Sequence, residues 1–344
     1  MMKTVTLTEN RVREITEAVH NVRVCVVGDV CLDLYWYADM KRSRLSRETP
    51  HYPLPVVREV YSPGGCANVM ANVRALEPKA LLPVSFTGDD WRGMLLRRAL
   101  SERDIPTEHI LTAEKFCTPC YCKPMRMGIS DVIYEDPRLD FENDVPVSPA
   151  DEKRLIDALY AAARESDVIA VSDQLRCGVI TPAVREALSS LARSMPVIVD
   201  SREKAGDYTG VIVKPNEVEA AAAIGRMLPD EPLSTEEYAE IGLALQKKNG
   251  CPVVVTLGER GALWCDADDA VLAPTVKAEP PVDIVGAGDT FLSAFSAAFG
   301  GGVSGPEALA FANLASGVTV KKLGTTGTAS CEEILQKWEN TYGT

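Results

Sequence analysis

From residue 150 onward the chain alternates helical and extended patterns without interruption, and this rhythm leaves few folds open to it. Helix-spaced apolar residues at 151–165 precede an apolar run at 168–172, those at 181–194 precede 197–199, and those at 235–249 precede 253–255. The runs are short, rich in Val and Ile, and bounded by polar turns, as expected for buried strands of a parallel sheet with helices on its faces. A further strand at 211–213 leads into an alanine-rich helix at 218–224, and a strand pair is expected within 261–273. Polar residues recur just beyond the strands: Asp173, then Asp200-Ser201-Arg202, Lys214-Pro215-Asn216-Glu217, and Thr256-Leu257-Gly258 followed by Gly261. Ligands of open parallel sheets sit at that edge. No linker, internal repeat or low-complexity block divides the 344 residues, and 229–232 reads as a surface loop between helices. The expected fold class is α/β, a mostly parallel central sheet flanked by helices, as one domain over 1–344.

The first half follows this rhythm less strictly. A helix at about 8–20 with Val12, Ile15 and Val19 on one face leads to a buried strand at 22–27 that ends in Gly28-Asp29. Asp33 is expected on the loop leaving that strand, either facing a ligand or bonded to local backbone. Residues 34–61, with Tyr35, Trp36, Tyr37, several arginines and three prolines, are not a crossover helix and read as extended strands projecting from the sheet. Pro63-Gly64-Gly65 then turns into a helix carrying Asn68, whose amide offers both a donor and an acceptor to a ligand. The same small residues also suit close helix packing. After a strand at 81–86 and a helix at 91–103, two strands flank a turn at Gly128-Ile129-Ser130. The inserts at about 34–62 and 113–137 are expected to pair into a small discontinuous β-sheet lid. Cys117, Cys120 and Cys122 lack a second pair of ligands to close a zinc site, since the three histidines lie at 20, 51 and 109, so free thiols are expected.

Asp283-Ile284-Val285-Gly286-Ala287-Gly288-Asp289-Thr290-Phe291 follows an extended, proline-rich approach and runs into small and large apolar residues at helical spacing. The two glycines therefore sit at a helix N-terminus, where free N–H groups and the helix dipole favour an anion and the missing Cβ lets it come close. Asp289 lies in the first turn of that helix. A carboxylate beside a phosphate cradle repels its ligand, unless it accepts a proton from the hydroxyl that attacks the phosphate. A glycine turn with an acidic N-terminal residue on a core helix accounts for the same pattern. Asn216 and Glu217 have the chemistry to hold hydrated Mg²⁺, or to cap the helix that starts there. No P-loop and no protein-kinase motif set is present.

The 46% hydrophobic and 25% charged content is that of a soluble globular protein. A net charge of −13 argues against a nucleic-acid or anionic-membrane partner, and no apolar run approaches the length needed to span a bilayer. Residues 1–21 lack a signal-peptide core and the ten cysteines are scattered, so a cytoplasmic location is expected.

The string 283–291 resembles the signature of the ribokinase-like (PfkB) sugar kinases, usually Asp-Thr-x-Gly-Ala-Gly-Asp-Thr-Phe, with Ile284 here in place of the threonine. Gly28-Asp29 with Asp33, Pro63-Gly64-Gly65 with Asn68, Lys214-Pro215-Asn216-Glu217 and Thr256-Leu257-Gly258 occur in the order seen in that family, over nearly the whole chain. The resemblance implies ATP as phosphoryl donor with Mg²⁺, Asp289 as catalytic base, and Gly286, Ala287 and Gly288 as the anion hole. It implies that Asp33, Gly64, Gly65 and Asn68 hold the sugar. Asn216 and Glu217 would organise Mg²⁺ through water, with Lys214, Thr256, Gly258, Gly261 and Asn313 on the nucleotide side. Some relatives bind K⁺ beside the anion hole with the acid equivalent to Asp283 as ligand; Ile284 leaves only backbone carbonyls to replace the threonine.

Within the family, the opening Gly28-Asp29-Val30-Cys31-Leu32-Asp33-Leu34-Tyr35-Trp36-Tyr37 and the later Ser46-Arg47-Glu48-Thr49-Pro50 are most similar to kinases that phosphorylate heptose 7-phosphate at its anomeric hydroxyl. Arg42, Arg44, Arg47 and Arg126 are then candidates to grip a substrate phosphate. Members of that subgroup often carry a nucleotidyltransferase domain behind the kinase, which a chain ending at Thr344 is expected to lack. A nucleoside kinase of the same fold and a non-catalytic sugar or nucleotide sensor are the alternatives. The lid strands suggest a homodimer paired through sheet edges.

Overall fold

The computed structural model describes residues 2–128, 130, 132–267, 269–324 and 326–343. β1 (Lys3–Thr4) and α1 (Glu9–Asn21) lead into β2 (Arg23–Gly28), β3 (Val30–Asp39) and β4 (Val56–Gly65). There follow α2 (Cys66–Ala75), β5 (Ala80–Gly88), α3 (Trp91–Ser101), β6 (Ile110–Ala113), β7 (Cys120–Met127), β8 (Ile133–Glu135) and β9 (Leu139–Phe141). The second half runs α4 (Pro149–Ala163), β10 (Val168–Asp173), α5 (Pro182–Leu191), β11 (Val197–Ser201), β12 (Ile212–Val213), α6 (Glu217–Ala223), α7 (Thr235–Asn249) and β13 (Val253–Thr256). It ends with β14 (Ala262–Asp266), β15 (Asp269–Ala273), α8 (Ala287–Gly300), α9 (Gly305–Thr319) and α10 (Cys331–Tyr342).

Two sheets result. The larger has the order β1-β15-β14-β13-β12-β11-β10-β2-β5-β6, parallel except where β14 pairs antiparallel with β13 and β15. Side chains alternate along each strand, so Val24, Val26 and Val168 pack with α1, α2, α8 and α9, while Cys25, Val27 and Ile169 pack with α4, α5, α6 and α7. Both faces are buried, which explains why these strands read as unbroken apolar runs. The smaller sheet has the order β4-β3-β7-β8, with β9 also on β7. Its two inserts meet where β3 and β7 run parallel, with Asp33 beside Tyr121 and Tyr35 beside Lys123.

The structure corrects one placement. Asp33 is on a strand rather than a loop, because Gly28-Asp29 turns the chain between sheets and β3 starts at once at Val30. Leu32 and Leu34 face the core on one side of β3, which leaves Asp33 and Tyr35 on the other. The lid strands accordingly begin before 34 and extend to Gly65 and Phe141. Ile129 of the expected turn lies outside the described residues.

Candidate active site

The geometry is set at the N-termini of α2 and α8. Both helices start after a glycine with positive φ, Gly65 at 53° and Gly286 at 81°, and neither has a side chain capping its first amides. By contrast α1, α3, α4, α5, α6, α7 and α10 are each capped by a Ser, Thr, Asp or Asn side chain. The left-handed backbone at Gly286 disfavours any other residue, and a Cβ there would also come within 3.0 Å of Asn68 Nδ2. A Cβ on Gly288 would meet nothing within 4 Å, so the first turn of α8 is open on that side.

The two helices are joined along a polar seam. Asn68 Nδ2 donates to Asp289 Oδ2 at 2.7 Å, Thr290 Oγ1 donates to Asn72 Oδ1 at 2.8 Å, and Ser293 Oγ donates to the Val69 carbonyl at 3.0 Å. Asn72 Nδ2 in turn donates to the Asn68 carbonyl at 2.9 Å, which fixes the backbone beneath Asn68. The Asp289 carboxyl is pushed up to about 7, first by burial and then by Asp200 and Asp33, against the Asn68 hydrogen bond and Lys214. A carboxyl with that value exchanges protons near neutral pH.

Asp33 approaches from the lid side, and a Cβ on Gly64 would lie 3.0 Å from its carboxyl group. Burial raises the Asp33 carboxyl, opposed by Lys123 and Arg138. Asp29 lies beneath as an anchor, accepting the amides of Gln174, Leu175 and Val179, while its carbonyl accepts the amide of Cys66. Its carboxyl is raised to about 6, by burial ahead of the Asp173 charge and despite those three amides. Asp173 ends β10 and is engaged by Ser201, Lys204 and Tyr208, so it serves the fold.

On the other flank, buried Lys214 pairs with Asp200 at 2.9 Å. Asn216 is the N-cap of α6: its side chain accepts the amides of Val218 and Glu219, and its own amide donates to Glu219 at 2.8 Å. The acid turned inward is therefore Glu219. Burial raises its carboxyl, with Asp200 adding and Lys214 and Arg202 opposing. Glu217, two residues earlier, makes no such contacts among the described residues. The capping-box spacing, Asn followed three residues later by Glu, was the available signal for Glu219.

The remaining expected residues lie along the far side of the sheet edge. Thr256 bridges to Asn216, and Gly258 opens a short 3₁₀ turn where a Cβ would meet nothing within 4 Å. Gly261 presses on the Ala273 carbonyl, which also accepts Asn313 Nδ2 at 2.8 Å, so the Asn313 amide nitrogen is committed to tying α9 to β15. Asp283 accepts the amides of Val285 and Gly324, each at 3.0 Å. Of the arginines considered for phosphate, Arg42 pairs with Asp39 and Arg126 with Asp136.

A family model described as pfkB family carbohydrate kinase matches residues 22–331. "Bifunctional protein HldE" of Citrifermentans bemidjiense is 34% identical over 325 residues, covering 93% of this chain and 64% of the relative. The protein of the same name from Hyphomonas neptunium is 33% identical over 321 residues, covering 91% and 62%. The chain thus spans slightly under two thirds of the length of these relatives. Among solved structures, Arabidopsis thaliana ribokinase complexed with ribose and ATP superposes with a TM-score of 0.68 at 20% identity, over 92% of this chain and 98% of that one. Phosphofructokinase-2 from Escherichia coli in complex with substrates and products gives 0.71 at 20%, over 93% and 99%.

Proposed function

The chain belongs to the pfkB family of carbohydrate kinases, and from that premise we propose that it transfers the γ-phosphoryl group of ATP to a hydroxyl of a sugar phosphate, heptose 7-phosphate at its anomeric position. The observation that carries the reading is the meeting of Asp289, raised to about 7, with Asn68 at the uncapped start of α8.

Asp289 accepts the proton of the attacking hydroxyl, and Asn68 holds its carboxylate in place. Asp33 and Asn68 orient the sugar from opposite sides, with Gly64 and Gly65 letting it approach the backbone. The amides of Gly286, Ala287 and Gly288 stabilise charge on the transferring oxygens. When bound, ATP supplies the phosphoryl group and Mg²⁺ offsets the charge on its phosphates. The open, uncapped first turn of α8 fits the anion, and the carboxylates of Asp200 and Glu219 are the hard oxygen donors that hydrated Mg²⁺ prefers. Lys214, Asn216, Thr256, Gly258 and Gly261 line the nucleotide side in this reading. K⁺ at Asp283 would use the remaining lone pairs of its carboxylate oxygens, each of which accepts one amide, together with backbone carbonyls, since Ile284 brings no side-chain oxygen.

The lid supports a homodimer. β4 is an edge strand, and Val56, Val57 and Val60 on it and Ile133 and Tyr134 on β8 are exposed. A second copy is the occupant proposed for the face that carries Val60 and Ile133.

The substrate reading is tested by ADP release over a panel of sugars, sugar phosphates and nucleosides, with the phosphorylated position read by ³¹P and ¹³C NMR. Heptose 7-phosphate is expected to give the highest kcat/KM and an anomeric phosphate. Preference for a nucleoside, or for an unphosphorylated sugar, contradicts it.

A further inference from the structure

Lys123 is placed unlike the other basic residues of the lid. It lies on β7 beside Tyr35 of β3, on the face that also carries Asp33 and Tyr121, because Cys120 and Cys122 point into the core on the opposite face. Its side chain is 13% exposed, its ammonium donates to Tyr35 Oη at 3.0 Å, and it lies over the Tyr35 ring at 4.6 Å. Asp33 is 3.9 Å away, attracted but beyond hydrogen-bond length. An ammonium has three donors, and Tyr35 takes one of them. Asp33 and the Tyr35 hydroxyl offset the cost of largely burying this cation, and its remaining donors are left for an anion on the face that holds Asp33.

Charges of both signs share this face, Asp33, Glu135 and Asp140 beside Lys123 and Arg138. Arg138 lies over the Tyr121 ring at 4.3 Å while paired with Asp140, and both it and Lys123 act on Asp33 to favour its charged form. Arg126, three residues from Lys123 on the same strand, points to the other face and is held by Asp136. We propose that Lys123 is the specificity-determining residue that binds the phosphate carried by the acceptor sugar, with Arg138 as a second positive charge across Tyr121. The sugar then lies with its middle on Asp33 and Asn68, one end at Asp289 and its anionic end at Lys123. This inference rests on the sugar-kinase reading of the same site and adds which residue makes the acceptor a phosphorylated one.

Isothermal titration calorimetry without nucleotide, using heptose 7-phosphate and the same heptose lacking its phosphate, separates the two ideas, because it needs no turnover. Wild-type protein is expected to prefer the phosphorylated sugar, and Lys123→Gln is expected to cut that preference roughly ten- to a hundredfold, the effect of losing a charged hydrogen bond. Lys123→Arg should restore part of it, and Arg126→Gln should leave the preference intact. Equal weakening of both ligands by Lys123→Gln overturns the proposal, as does a wild-type protein that binds both alike. Failure of the kinase reading shows separately, as phosphate-selective binding that depends on Lys123 with no ADP formed on adding ATP.

Discussion

At the scale of single residues, Asp289 meets two opposed requirements. As the proposed base it must be ionised to act, yet burial and the nearby Asp200 and Asp33 charges hold its carboxyl up at about 7. Activity should therefore fall on the acid side of pH 7, and kcat/KM against pH for the free enzyme is expected to show one acidic limb near that value. Stability runs the other way. A carboxyl raised from 3.8 to about 7 favours the folded state below pH 4 and opposes it increasingly until pH 7. The melting temperature of Asp289→Asn, relative to wild type, should thus climb from pH 4 to pH 7 and level off above; a flat difference counts against the burial. Glu219→Gln should raise the Mg²⁺ concentration for half-maximal activity about tenfold, the scale of an outer-shell ligand, and Glu217→Gln much less. Asp33 was expected on a loop and lies on β3, whereas the approach of Asn68 to Asp289 was legible from a turn and a helix start. Glu219 was not, because Asn216-Glu217 looks complete as a pair until the capping box shows that the third position turns back. Lys123 was hidden for another reason: its neighbour Tyr35 is 88 residues away, and only the pairing of β3 with β7 reveals their common face.

At the scale of elements, the α2–α8 seam is what holds Asp289 and Asn68 in register. Thr290→Val keeps the shape of the side chain but leaves Asn72 Oδ1 without its donor, so urea unfolding should show a loss of about 1–3 kcal/mol. Because Asp289 is carried on the same turn, kcat should fall in that variant as well; unchanged stability would mean that the seam is not what fixes α8. The parallel strands were readable because both their faces are buried and each begins and ends at a polar turn. The lid strands were recognisable as extended, but their boundaries were not, since β3 follows β2 after a single residue, Asp29. Short edge elements escaped notice: β1 has two residues and β9 three, too few for a periodic pattern to form. The amphipathic α10, which packs Ile334 and Trp338 against the core, lies beyond the last motif of the chain.

At the scale of the whole molecule, Asp200 and Lys214 of the large sheet and Asp33 of the small sheet all act on the Asp289 carboxyl, and Lys123 pairs with Asp33. The lid's exposed valines and Ile133 should make the protein a dimer, and light scattering of Val60→Asp with Ile133→Lys is expected to give a monomer mass where wild type gives twice that. A monomeric wild type would remove the dimer and leave the site as it is. Among the described residues no helix is long and apolar enough to cross a membrane. The most direct test of phosphoryl transfer through Asp289 is sugar-dependent ADP release by wild type and Asp289→Asn, run at saturating ATP with nucleotide binding and melting temperature measured in parallel. At least a hundredfold lower turnover in the variant, with binding and fold retained, is the predicted result. Near-equal turnover by the two proteins would contradict the assignment of the base.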